Sequence, residues 1–486
     1  MRKGRLWEMI QKMPKGSLLH CHMDGTVSAT WLIDAALRYD SVIHIRAESP
    51  LLAPEDLYRV QVSLKPMPAF KSYSPSSNLF SHDYDTDEWM PLKEARKLFP
   101  FKSPYASRLE GFEKGTDIPS AEGRSRSEAG LVHWLHSLMT MTPVVGSKPM
   151  ESSPEAWARF ESTFAIIGGV ISYEPILASY LKEMVLVHAR DNIQYLETRL
   201  NFVEETYLST DAVTPLPHLR WVEIFRTSVD EANAELRAEG KGECQCKIIY
   251  ATVRFVTPER LRWYTEDCLQ LARAHPDLII GFDLVGHEDP LLRLREYVPE
   301  LLRFKQRQVE EGLDIPLILH AGETLGDGNG TDENLYDALL LDSKRLGHAY
   351  SLPKHPELMK MCRERNVCVE SCPISNEILR YVGNMASHPL PILVNHGVPV
   401  ALSNDDPCQF GNFGLSHDFW QVCNASDATG LAALKTFALT SLEHSRLTPS
   451  ERARHMERFN SDWENWLTWI VKTYGEERNG PTKQGN

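Results

Sequence analysis

The chain has 486 residues, 42% of them hydrophobic and 24% charged, enough apolar material for one large core or two moderate ones. Its net charge of −14 and pI of about 5.7 exclude a protein that grips a nucleic-acid backbone, because phosphate contacts need a basic face, and favour a small neutral or weakly cationic ligand. No run of eighteen apolar residues occurs, so no membrane span is expected.

The N-terminal stretch MRKGRLWEMIQKMPKG lacks the apolar core of a signal peptide and, taken literally, points to the cytoplasm. The nine cysteines agree: the number is odd, and Cys21, Cys368 and Cys372 sit in apolar, strand-like contexts, as buried thiols do. The pair Cys244-x-Cys246 lacks zinc-finger spacing and reads as loop. The first strand is expected over 16–22. Its His20 and His22 are two apart, so the strand period turns both imidazoles to one side, where they can grip one ion. Residues 45–150 are rich in Pro, Ser and charge, as in SLKPMPAFKSYSPSSN at 63–78, and read as an inserted loop or small lid, partly disordered. A helical stretch over 155–190 carries Trp157, Phe160, Phe164, Ile167 and Val170 at helical spacing, a stripe whose plainest role is core packing.

Seven further strands are expected at 193–200, 247–254, 278–285, 315–320, 344–348, 367–371 and 398–403, with helices at 216–238, 257–275, 291–311, 331–342 and 355–365 between them. Strands alternating with helices imply a parallel sheet, and eight such units favour an α/β fold of the closed (β/α)₈ TIM type over a doubly wound sheet. No GxGxxG follows any strand, and GDGNG at 326–330 reads as a turn. The C-terminal stretch 430–475 is expected to be a helical extension with Trp463, Trp466 and Trp469 on its packing face, followed by a polar tail at 476–486. The reading is therefore one barrel domain over 1–486, with a long insertion after its first strand.

The barrel gives four fragments a common place. HCHMDG at 20–25, HAGE at 320–323, LGHAY at 346–350 and SNDDP at 403–407 each end an apolar run, and in a closed barrel those ends converge on one mouth. His20, His22, His320 and Asp405 are three imidazoles and a carboxylate, a set that suits one zinc ion with room for a water. Glu323, three residues after His320, brings a carboxyl near the metal without ligating it, a suitable place for a proton shuttle. His348 and Asp406 flank the same mouth and can orient a hydroxide electrostatically. Glu197 reads as an ion partner of Arg199 or Lys247 inside the barrel, and His287 and His355 as surface or supporting residues.

The constellation resembles the adenosine/AMP deaminase family of metal-dependent hydrolases, and within it the adenosine deaminase-related growth factor branch. The narrower likeness is carried by MPKGSLLHCHMDG at 13–25, WARFESTF at 157–164, GFDLVGHED at 281–289, LGHAYSLPKHP at 346–356 and CPISN at 372–376. It implies hydrolytic deamination of a purine nucleoside and assigns roles residue by residue. Glu323 matches the donor of a proton to purine N1. His348 matches the base and electrostatic partner of the water, and Asp406 the residue that bonds the hydroxide or ring N7. The backbone at Gly286 matches the contact to the purine edge, Asp24 the carboxylate on a ribose hydroxyl, and Trp157 lies in the stretch placed beside the substrate. Asp24 could instead cap the turn before Gly25. The branch is commonly secreted and carries N-terminal dimerisation helices, so a homodimer and an extracellular home stand as alternatives. Its inserted segment is cysteine-bridged in secreted relatives, whereas residues 40–150 here hold no cysteine.

One departure bears on specificity. The third strand reads KIIYATVR, where secreted animal relatives carry a ribose-contacting histidine at the position of Val253. This leaves room for deoxyadenosine or a modified purine nucleoside beside adenosine. AMP is disfavoured, since no Lys/Arg cluster stands at the strand ends to receive a phosphate. Two other classes compete: a same-fold amidohydrolase acting on another ring or nucleotide, and a non-catalytic growth-factor-like module, against which the retention of Glu323, His348, Asp405 and Asp406 argues. The small cytidine-deaminase fold is excluded because its H-x-E…P-C-x-x-C signature is absent: HAGE has two intervening residues, and the chain has no CxxC.

Overall fold

The computed structural model describes residues 4–69, 73–74, 78–105, 117–143, 150–203, 207–426 and 429–475; the tail 476–486 and parts of 45–150 lie outside them. All eight expected barrel strands form: β1 (Gly16–Leu18), β5 (Ile193–Asn201), β6 (Gln245–Val253), β7 (Ile279–Val285), β8 (Ile318–Ala321), β9 (Arg345–His348), β10 (Cys368–Ser371) and β11 (Val400–Leu402). They make two parallel four-stranded sheets, β1-β5-β6-β7 and β11-β10-β9-β8. Parallel bridges at Phe282–Leu317 and Cys21–Asp405 join the sheets, so neighbours follow chain order around a ring. The residues of β7 are buried throughout, as expected of a strand covered on both faces by helices and barrel interior.

β1 is shorter than expected. Regular pairing stops at Leu18, and the histidine segment continues through single bridges, with Arg199 N–H donating to the Cys21 carbonyl (2.9 Å) and Asp405 N–H to that of His20 (3.2 Å). The stretch 155–190 is two helices, Ser153–Ile171 and Glu174–Arg190, because Pro175 suits the first turn of a new helix and not the interior of an old one. The region 430–475 likewise divides into Leu431–Glu443 and Pro449–Tyr474, the latter opened by a Thr448/Glu451 capping box. Trp463 and Trp466 are buried, and the Trp466 indole N–H donates to the Met9 carbonyl of the helix Arg5–Lys12 (2.9 Å), tying the two ends of the chain together. Cys246 belongs to β6 and not to a loop. All nine cysteines are free thiols. Among the described residues no helix is long and apolar enough to cross a membrane.

The excursion after β1 carries regular structure where its Pro and Ser content reads as loop. β2 (Ile43–Ala47), β3 (Val62–Pro66) and β4 (Met90–Pro91) form an antiparallel sheet in the order β3-β2-β4, accompanied by helices at Leu92–Leu98 and Arg126–Met139. The signal lies in the period: Val62, Leu64 and Pro66 are buried, while Ser63 and Lys65 between them are not, which is a half-buried strand inside a segment of polar average composition.

Candidate metal centre and active site

The C-terminal ends of β1, β8, β9 and β11 bring His20, His22, His320, His348 and Asp405 together. The ring centroids of His20 and His320 lie 4.6 Å apart, those of His22 and His320 5.3 Å, and those of His20 and His22 5.5 Å. Nε2 of both His20 and His22 is 3.3 Å from Asp405 Oδ1. Each deep imidazole is held by its other nitrogen: His20 Nδ1 lies 2.8 Å from Glu370 Oε2, and His320 Nδ1 lies 2.7 Å from Asp283 Oδ2. This fixes the tautomer and leaves the Nε2 lone pairs facing one another, the arrangement of a metal-binding histidine backed by a carboxylate.

The fit to a divalent cation can be tested on this chain. His20 Nε2 and Asp405 Oδ1 are buried and have no protein hydrogen-bond partner, a costly state that an ion would relieve. The ligand atoms of His20, His22 and His320 lie within 4.8 Å of one another, as do those of a second grouping that draws in His348 and Cys372. The Cys372 thiol is a poor ligand, because burial and then the Asp405 carboxylate push its pKa well up, and only the thiolate binds metal. The three histidines with Asp405 form a donor set that could hold a divalent cation.

Beside it stand the candidate proton carriers. His348 ends β9 with φ of 57°, and its Nδ1 lies 3.3 Å from Glu323 Oε1 and its Nε2 3.8 Å from Asp405 Oδ2. Asp405 also has a left-handed φ of 57°, so two site residues occupy a conformation that costs free energy and persists because the surroundings enforce it. Burial pushes Glu323 well above the carboxylate range, with the Asp405 and Glu288 carboxylates adding to it. Burial also holds His348 well below the usual imidazole value. Asp405 goes the other way: burial would raise it, but the imidazoles of His348, His20 and His22 around it hold it well down. Asp406 is pushed up by burial and by Asp405 and Asp24. Neighbouring carboxyls with opposed shifts divide into a proton holder and an anion, as acid–base chemistry at neutral pH requires.

Two glycines of the fragments are explained by close approach. A Cβ on Gly25 would come 2.0 Å from Asp406 Oδ1, and one on Gly347 would come 3.0 Å from His20 Cε1 and 3.2 Å from His320 Cα. Asp24 lies on the short 3₁₀ turn Met23–Gly25, half-buried, with burial raising its pKa. Gly286, with φ of 115°, follows β7. Trp157 packs in a small cluster with Met141, Ala156, Phe160, Leu379 and Tyr381, separate from the main core. Its indole N–H donates to the Tyr381 hydroxyl (2.7 Å), and its ring lies flat on His287 at 4.4 Å.

Sequence reasoning missed or misplaced several partners. Glu197 pairs with Arg345, not with Arg199 or Lys247, while Lys247 pairs with Glu451. Arg199 bridges Asp283 and Glu370 (2.7 Å each), and Arg345 Nε meets Glu370 Oε1 at 2.5 Å. A continuous buried chain of ion pairs thus runs from Glu197 through Arg345, Glu370 and Arg199 to Asp283 and orients the two carboxylates behind His20 and His320. Of the two places expected for His287 and His355, surface or supporting, both take the supporting one: His287 is buried against Trp157, and His355 Nε2 lies 2.7 Å from Asp332 Oδ2. The available signal was charge inside otherwise apolar strands; which charge meets which depends on barrel order and could not be read from spacing.

Known proteins give this geometry a context. The family model described as adenosine deaminase matches residues 141–461. The chain is 30% identical over 475 residues to a protein named adenosine deaminase from Phlebotomus duboscqi, covering 96% of this chain and 79% of that one. It is 28% identical over 474 residues to adenosine deaminase 2 of Homo sapiens, covering 97% and 82%. Among solved structures, Arabidopsis ADAL complexed with GMP aligns with a TM-score of 0.59 at 15% identity over 93% of this chain and 98% of the other. An amidohydrolase from Burkholderia ambifaria with bound Zn aligns with a TM-score of 0.58 at 14% identity over 97% and 96%. These structural likenesses establish the TIM-type barrel fold, and the sequence matches go further: the chain belongs to the adenosine deaminase family, on its adenosine deaminase 2-like branch.

Proposed function

We propose that this chain is a zinc-dependent hydrolase that converts adenosine or deoxyadenosine to inosine or deoxyinosine, with release of ammonia. The observation that carries the reading is the convergence of His20, His22, His320 and Asp405 beside a proton-holding Glu323 that lies 3.3 Å from His348. His20, His22, His320 and Asp405 would hold the zinc ion, which would supply Lewis acidity able to lower the pKa of water from 15.7 to about 7.

The chain's own groups do the rest. His348, kept uncharged by its burial, takes the proton from the attacking water and passes it to the departing amine. Glu323 gives its proton to the ring nitrogen beside the carbon under attack, so that no uncompensated charge builds on the purine. Asp406, directly after Asp405, holds the nucleophile or ring N7 by a hydrogen bond. The new C–O bond forms at the purine amino carbon, the C–N bond breaks to release ammonia, and the remaining hydroxyl proton returns to the Glu323 carboxylate to leave the keto product. Gly286 sets the purine edge, Asp24 a ribose hydroxyl, and Trp157 covers the mouth. Arg254, directly after β6, is buried and already engaged by Glu288, so it is not available to receive a nucleotide phosphate. Val253 is half-buried and packed against the main core, so it offers no polar group to a ribose. Free thiols at all nine cysteines support a cytoplasmic home over an oxidising one.

Following the ultraviolet change on deamination with adenosine, deoxyadenosine, AMP and adenine tests the reading. Turnover of the nucleosides with rejection of AMP is expected; a preference for AMP or the free base would overturn the nucleoside assignment.

A further inference from the structure

The loop after β7 carries a buried carboxylate that the chemistry above does not use. Glu288 accepts hydrogen bonds from the backbone N–H of Glu323 (2.9 Å) and of Gly322 (3.3 Å), from Asn334 Nδ2 (2.6 Å) and from Arg254 Nη1 (3.1 Å). Arg254, itself buried, also donates to the Leu284 carbonyl through Nε (3.3 Å) and Nη2 (3.2 Å), and to the carbonyl of His320. The next residue, Asp289, accepts from the Thr324 hydroxyl (2.6 Å). The HAGE turn is therefore held on both sides of its functional residues: Arg254 grips the carbonyl of His320, and Glu288 grips the amides of Gly322 and Glu323. A buried, fully engaged ion pair of this kind is rigid, because neither charge can leave without stranding the other.

We propose that Glu288, clamped by Arg254 and Asn334, is a positioning residue for Glu323: it fixes the backbone from which the proton-carrying side chain reaches the purine ring. The idea rests on the reading of Glu323 as proton carrier and adds a residue that touches neither substrate nor metal. Glu288 lies on the loop after β7 and the turn it holds follows β8, so it links the end of β7, where Gly286 meets the purine edge, to the end of β8, where the proton is delivered. Base and proton donor are thereby kept in one register. A displacement of Glu323 of the order of 1 Å is enough to lose about a hundredfold in rate.

The test is a double-mutant cycle on the purified, metal-loaded protein. Glu288→Gln keeps the shape and one acceptor oxygen but loses the charge that binds Arg254 and two amides. It is expected to lower kcat roughly tenfold to a hundredfold, with KM within about twofold and metal content unchanged. In a Glu323→Gln background the same change is expected to add almost nothing, because a residue acting only through Glu323 has nothing left to position. Additive losses, or loss of metal from Glu288→Gln, would overturn the proposal and leave the Glu323 reading standing. Full activity of Glu323→Gln alone would overturn that reading and the proposal with it. If Glu288→Gln does not fold, Asn334→Ala, which removes one donor and leaves the carboxylate in place, runs the same cycle with a smaller expected loss and the same non-additivity.

Discussion

Glu323 and His348 face each other at 3.3 Å with burial moving their pKa values in opposite directions, the carboxyl up and the imidazole down. Burial thus favours the protonated carboxyl and the uncharged imidazole, one with a proton to give and one with a lone pair to receive. Glu323→Gln keeps the reach and cannot pass a proton, so turnover is expected to fall by about a hundred- to ten-thousandfold. Metal content, measured by elemental analysis, should stay unchanged; metal loss would make Glu323 a ligand. Asp24 offers a sharper test of specificity. Burial makes its charge costly, so a ribose hydroxyl that bonds it relieves that cost. Asp24→Ala is expected to reduce kcat/KM for a nucleoside by an amount worth a few kcal/mol, because the partner hydroxyl is left unpaired, and to affect the free base much less. Equal losses on both substrates, with falling zinc content, would make Asp24 a brace for the turn that follows His22.

At the scale of elements, the last helix shows how the barrel is closed from below. Glu451 completes the capping box of Pro449–Tyr474 and also accepts from Gln245 Nε2 (2.7 Å) and Lys247 Nζ (3.3 Å) on β6. Burial works against its charge, but the Thr448 amide, Gln245, the Thr448 hydroxyl and Lys247 outweigh it and bring its pKa to about 2. A carboxylate lowered from an ordinary value of about 4.3 stabilises the fold above that value and loses the contribution as pH falls through the folded value. Glu451→Gln should therefore melt below the parent at neutral pH, with the gap closing between about pH 5 and pH 2. A gap that persists unchanged at acid pH would show that shape, not charge, makes the contact. The same scale shows where sequence patterns ran out. The helix over 155–190 was legible as apolar spacing, yet its division at Ser172–Tyr173 was not, because Pro175 is equally compatible with a kink and with a fresh start. The β2–β4 sheet was hidden because only five residues of β3 show clean alternation inside a Pro- and Ser-rich segment.

For the whole molecule, the barrel brings residues nearly four hundred positions apart into one coordination set, so metal binding and folding are coupled. An ion that binds His20, His22, His320 and Asp405 in the folded state alone stabilises that state by mass action. Metal analysis is expected to return about one zinc per chain. Chelation should abolish deamination and lower the melting temperature, and added zinc should restore both. A stable count of none or of two per chain would defeat the mononuclear reading.

What the sequence determined by itself was local. Strand periodicity, apolar runs and the alternation of strand and helix made the barrel legible, and each candidate ligand stands at the end of such a run, as His320 does after Pro316-Leu317-Ile318-Leu319. Gly25 and Gly347 were visible as letters, but their reason is a neighbour from a distant strand: Asp406 in one case, His20 and His320 in the other. The partners of buried charges were decided only in three dimensions. Glu197 finds Arg345, Asp283 finds both Arg199 and His320, and Glu288 finds the HAGE turn. A strand's own pattern states which side chains point inward, whereas the charge each one meets depends on how eight strands are staggered around the closed sheet. That stagger is set by packing of the whole barrel and leaves no mark at any single position.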